Sequence, residues 1–177
     1  SVIVMDSSND LIRSLQHSKL IPPERLRIID PRDSIEHPLS LNMFDIGHDE
    51  LSKLNPVEYQ SQMNNVVGLL TFMFSSLMGE SMSGHQAGFV RFCCSLMLRV
   101  PKASVLTFID LLENGTEEFQ PYIDEMSEVA QSFFRTAFPK PGDRRFKDEL
   151  AVTRRSIHRR LLWLLDNDTF RSFFTSP

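Results

Sequence analysis

Along most of this chain apolar positions recur at three- and four-residue intervals, the spacing of one face of an α-helix. From Pro56 onward, Met63, Val66, Val67, Leu70, Met73, Phe74 and Leu77 keep that spacing. They predict a long amphipathic helix, covered on more than one side. Pro56 suits a first helical turn. Gly79 and the Ser/Gly cluster to Gly84 end it. A second helix is expected over 85–100, with Phe89, Phe92, Cys93, Leu96 and Val100 on one stripe and Pro101 as its stop. Thr107 reads as the N-cap of a short helix over 108–113, which Asn114-Gly115 closes. Helices near 118–126 and 128–138 flank Ser127. Pro139 and Pro141 lead into a long helix from Asp143 to Asn167, and Asp168 caps a last one carrying Phe170, Phe173 and Phe174.

The first 46 residues follow another pattern. Val2–Met5 is a continuous, β-branched apolar run ending at Asp6, and Leu26–Ile29 is a second run ending at Asp30-Pro31. Each reads as a short buried strand. Between them, Leu11, Ile12 and Leu15 mark a helix over 9–17, and Pro22-Pro23 stops it. Two strands joined through a helix are a parallel α/β unit. The expected fold is therefore mainly α: a small α/β segment with two short strands over 1–46, then a helical bundle over 47–177.

Composition narrows the function classes. At 177 residues with fourteen Phe, the chain has core material for one domain or one domain plus part of another. A net charge of −4 is not the footprint of a protein coated in nucleic acid, so any such contact needs a local basic patch. The two cysteines, Cys93 and Cys94, are neighbours and build neither a disulfide framework nor a zinc site. They fit a reduced, cytoplasmic setting. The apolar stretch 66–74 falls short of the ~20 residues that span a bilayer. No basic leader opens the chain, and a start at Ser1 is expected of a piece of something longer.

Two stretches are candidates for chemistry. Asp6 and Asp10 follow the first strand, where open α/β sheets place ligands. Carboxylates there can hold a water, a metal ion or a basic side chain, or simply form a strand-end turn. On the late helix, Arg144, Lys147, Arg154, Arg155, His158 and Arg159 share a broad side opposite Phe146, Leu150, Ile157, Leu161 and Leu164. A cationic face can contact phosphates without reading sequence, or be a solvated face. The run Gly79–Gly84 misses nucleophile-elbow spacing by one residue. The five His lack metal-ligand spacing. No G-x-x-x-x-G-K-[ST] phosphate loop occurs.

The order of the early motifs resembles a known family. Val2-Ile3-Val4-Met5-Asp6-Ser7-Ser8-Asn9-Asp10-Leu11 is similar to the strand and D-P-H-G-D-L segment of conjugation and type IV secretion ATPases, ring motors of the HerA–FtsK superfamily. Ile21-Pro22-Pro23-Glu24-Arg25 and Asp30-Pro31-Arg32-Asp33 resemble its I-P-x-E-R and D-P-x-D, and His37–Asn42 resembles its hydrophobic-Asn-Pro stretch. Ser7-Ser8-Asn9 replaces Pro-His-Gly, and Met43 replaces the Pro.

The resemblance implies a fragment between Walker A and Walker B containing the family's inserted all-α domain. It implies no catalytic residues, cofactor or metal in the fragment itself. The parent would be a cytoplasmic homo-hexameric ATPase at the inner membrane, using ATP and Mg, with DNA, secreted protein substrates and secretion components as partners. Asp6 and Asp10 become nucleotide-proximal by that resemblance. Arg144, Arg145, Arg154, Arg155, Arg159 and Arg160 become the candidates for nucleic-acid or partner contact. The competing expectation is a free-standing helical adaptor that binds a protein through an apolar groove. A third is a small enzyme using Asp6 and Asp10 with a metal.

Overall fold

The computed structural model describes residues 4–6, 8, 10–18, 20–28, 41–47, 51, 53–77, 82–139 and 150–175. The chain divides into two compact units, 1–39 and 40–177. Among the described residues it forms eight α-helices and one 3-10 turn, and no strand.

In the first unit, helix α1 (Asp10–His17) precedes the 3-10 turn Pro23–Arg25. The two expected strands are not seen. Their described parts, Val4-Met5 and Leu26–Ile28, carry no ladder, and the rest of each run lies outside the described residues. A strand is stabilised by its neighbours, through backbone pairing and a buried face. Met5 is 92% exposed and Val4 41%, so the described part of the first run has no buried face to hold it.

The second unit holds the core. It includes Leu41–Ile46, which the sequence pattern assigned to the α/β segment. Asn42 fixes this lead-in: its Nδ2 donates to the Ala103 carbonyl at 2.7 Å, and its Oδ1 accepts from the Phe44 amide at 2.9 Å. Met43 and Phe44 are buried in the helical core. The Leu41 amide donates to the Phe173 carbonyl at 2.7 Å, so the lead-in also touches the last helix.

Helix α2 (Pro56–Leu77) begins at a reciprocal cap. Asn55 Oδ1 accepts from the amides of Val57 and Glu58, and Glu58 Oε2 accepts from the Asn55 amide. Thr71, Ser75 and Ser76 are accommodated because each hydroxyl donates to the carbonyl four residues earlier. The expectation of cover on more than one side fails here. Leu69 is 59% and Phe72 68% exposed, and one face is buried, through Met63, Val67, Leu70 and Phe74.

Helix α3 (Gly84–Met97) starts at a capping box between Ser83 and Gln86. It is the central element, burying Phe89, Val90, Cys93, Cys94, Leu96 and Met97. Helix α4 (Val105–Asn114) is capped by Ser104 rather than Thr107. Thr107 is its third residue, and its Oγ1 accepts from the Ser104 amide at 3.0 Å. Gly115, at φ 86°, ends α4 in a left-handed conformation that favours glycine. Helices α5 (Gln120–Asp124) and α6 (Glu128–Ala137) follow, with Ser127 capping α6. Helix α7 (Ala151–Leu165) packs on α3 and α4, and α8 (Asp168–Phe174) closes the chain behind an Asn167 cap. The start expected at Asp143 lies outside the described residues.

Aromatic rings join the helices. Phe74 and Phe108 meet edge-to-face at 5.4 Å, with Phe44 beside both. Phe92 stacks on Phe133 at 4.3 Å, and Phe89, Phe134 and Phe138 extend that second group. Edge-to-face and offset pairs place the positive ring edge near a negative face, adding to the area they bury. The neighbouring cysteines sit inside this packing, and burial pushes both thiols up from their ordinary range, Cys93 further through its neighbour Cys94.

Candidate functional site

Asp6 occupies itself with the start of α1. Oδ1 accepts from the Ser8 hydroxyl at 2.8 Å and the Ser8 amide at 3.0 Å. Oδ2 accepts from the amides of Leu11 at 2.9 Å and Ile12 at 3.3 Å. These are N–H groups that a first helical turn leaves without partners, and a carboxylate there also meets the positive end of the helix dipole. The Ser8 hydroxyl most strongly, with the amides of Ser8, Ile12 and Leu11 adding to it, holds the Asp6 carboxyl below the usual carboxylate range against an opposing desolvation that outweighs any single amide. Asp10 is exposed in the first turn of α1. Among the described residues no group of three or more His, Cys, Asp or Glu is placed to hold a metal ion.

The arginines divide by what they touch. Arg144 and Arg145 lie outside the described residues. Arg154 is half-buried against the end of α6: its Nη1 donates to the Ala137 carbonyl at 2.5 Å, and its guanidinium lies 5.1 Å from the centre of the Phe138 ring. It closes one of the carbonyls a helix end leaves open. His158 faces α4, with Nε2 at 2.7 Å from Glu113 Oε1. Arg160 is half-buried.

Arg155 and Arg159 are exposed, and no carboxylate among the described residues pairs with either. Helix α7 contains no Asp or Glu, so nothing on the helix itself neutralises them. Its opposite side is anchored by Ile157, Leu161 and Leu165, all buried. That anchoring fixes which arginines can face outward. The described part of the broad basic side read from the sequence thus resolves into two internal contacts, Arg154 and His158, and an outward pair, while Arg144 and Lys147 lie outside the described residues.

One residue on this face escaped the sequence reading. Trp163 is 74% exposed, four residues beyond Arg159 and eight beyond Arg155, with Val152 and Leu162 also exposed on the helix. The signal was present as spacing: on a 3.6-residue helix, positions 155, 159 and 163 advance about 40° per step and stay within about 80° of arc on one face. An apolar-versus-basic division of the helix had no place for an indole among arginines.

A second exposed feature lies on α2, where Leu69 and Phe72 stand one turn apart. Between Tyr59 and Leu77 this helix has no charged residue.

Among the described residues no helix is long and apolar enough to cross a membrane. No family model matches the chain, and neither a curated protein nor a solved structure matches it.

Proposed function

We propose that this chain is a non-catalytic recognition module of a motor ATPase of the type IV secretion or conjugation type, meeting an anionic partner, DNA in the first instance, through the outer face of α7. The observation that carries the contact surface is the pair Arg155 and Arg159, exposed on a helix without acidic residues. Exposed guanidiniums held on a helix attract phosphates and release counterions from them. The link to the motor family rests on the ordered motifs between Val2 and Asn42. In that family setting ATP and Mg belong to the hexameric parent.

The role of Asp6 on this reading is local: it organises the turn into α1 through its four hydrogen bonds. Asp10, exposed beside it, is the carboxylate left to face a nucleotide in the parent.

The test is binding of labelled single- and double-stranded DNA across a salt series. The expected result is affinity that falls steeply with salt and is abolished in the double variant Arg155→Glu, Arg159→Glu, with folding retained. Absence of binding at low salt sinks the DNA reading. It would favour a protein-interaction adaptor that uses the exposed Leu69 and Phe72 on α2. The family assignment has its own check: a Walker A motif should be encoded within roughly 40 residues upstream of Ser1, about one strand-plus-helix unit.

A further inference from the structure

Among the described residues the indole of Trp163 has no aromatic or cationic partner. It is the chain's one tryptophan, and it shares a face of α7 with the exposed guanidiniums of Arg159 and Arg155, the latter with its Nε donating to the Ala151 carbonyl at 3.3 Å. Successive members of the row 155, 159 and 163 are separated by ~6 Å along the axis, at ~1.5 Å rise per residue. The row is therefore a short track with two cations followed by a flat apolar ring.

We propose that this track binds nucleic acid as a single strand, with Trp163 stacking on an unpaired base while Arg159 and Arg155 hold phosphates of the same strand. The proposal rests on the nucleic-acid reading of α7 above and names which form of nucleic acid that face takes. A duplex offers the two arginines phosphates equally well, but its bases are stacked on each other, so the exposed indole finds no ring to cover. An unpaired base has a free π-face, and stacking on an aromatic side chain tolerates any base. Leu162 and Val152, exposed at either end, add apolar contact that a phosphate backbone cannot use.

An anionic lipid surface also attracts arginine and tryptophan. The pattern on α7 fits it less well. Arg155 and Arg159 lie between Val152 and Leu162-Trp163, so the apolar side chains form no continuous strip that could enter acyl chains without carrying guanidiniums with it.

Because there is one tryptophan, its emission reports this track alone. The experiment titrates the whole chain with a short dT oligonucleotide, a hairpin duplex and vesicles rich in anionic lipid, at low salt. The expected result is quenching by dT and little by the duplex. In parallel, anisotropy of labelled dT should show Trp163→Ala weakening single-strand binding roughly five- to 150-fold, the range of one stacked base. Trp163→Phe should restore part of that loss, and duplex affinity should not change. Far-UV circular dichroism verifies that the variants fold.

Equal quenching by duplex, or unchanged dT affinity in Trp163→Ala, overturns the stacking proposal and leaves the nucleic-acid reading of α7 standing. Binding of neither nucleic acid overturns both. A blue shift with vesicles and no response to dT replaces both with a membrane surface.

Discussion

Arg154 and Arg155 are adjacent in sequence, yet Arg154 bonds the Ala137 carbonyl while Arg155 is exposed, so on the proposed function replacing each should separate stability from binding. Arg154→Ala removes a charge-assisted hydrogen bond to the Ala137 carbonyl at 2.5 Å and a guanidinium 5.1 Å from the Phe138 ring centre. Such a hydrogen bond contributes about 1.5–3 kcal/mol. A cation–π contact adds about 0.5–1 kcal/mol at a partly exposed site. The two share one side chain and are not fully additive, so the expected loss is about 2–3 kcal/mol. Ala137 is fully buried, so its carbonyl gains little from water once the arginine is gone. For a chain of this size each kcal/mol lowers the melting midpoint by ~2–4 °C. The midpoint should therefore fall by roughly 4–12 °C in a thermal scan followed by circular dichroism. Arg154→Lys, which keeps a donor but loses the planar stack, should fall between. DNA affinity, measured well below the midpoint, should be unchanged in Arg154→Ala and lost in the Arg155→Glu, Arg159→Glu pair. An unaltered midpoint in Arg154→Ala, or a DNA defect as deep as that of the pair, would refute the assignment.

Three further outcomes follow from the same geometry. Phe108→Ala should destabilise the helical unit by about 3–5 kcal/mol in urea unfolding, because a fully buried ring that meets both Phe44 and Phe74 leaves a cavity. Cys93 and Cys94, buried with raised thiols, should resist a thiol reagent in the native protein and react together on unfolding; fast native labelling would contradict their packing. Asp6, with its carboxyl held low, should cap α1 fully above the unfolded carboxylate value of ~3.9 and release it as pH falls through its own lower midpoint. The amide resonances of Leu11 and Ile12 should report that titration, and Asp6→Asn should remove it.

The helical unit was legible where the chain carries its own punctuation. Pro56, Ser127, Pro101 and Gly115 mark ends that backbone chemistry fixes locally, and their helices lie close to where apolar spacing put them. Ser104 and Thr107 show how far such reading goes: both are cap residues by type, and the reciprocal bond between them decides which stands at the start. Cover was harder to read. The apolar content of α2 resembled a helix packed on several sides, but Leu69 and Phe72 remain exposed because exposure depends on neighbours far along the chain. The strands failed for a related reason: Val2–Met5 has strand composition, and composition supplies no pairing partner. At the candidate site, helical spacing put Arg155 and Arg159 on one broad basic side. It could not separate them from Arg154, whose partner, the Ala137 carbonyl, lies seventeen residues earlier.

The hydrogen bond from the Leu41 amide to the Phe173 carbonyl has a topological consequence. It brings the entrance and the exit of the helical unit within one bond of each other, so the chain enters and leaves through one doorway. A unit of that kind can be spliced into a surface loop of another protein without stretching its host, and its own ends can be joined by a short linker and reopened elsewhere. The exposed turn at Pro101-Lys102, between α3 and α4, is a place to cut such a circularised chain. Asn42 holds the neighbouring carbonyl of Ala103, so the cut belongs before that residue rather than after it.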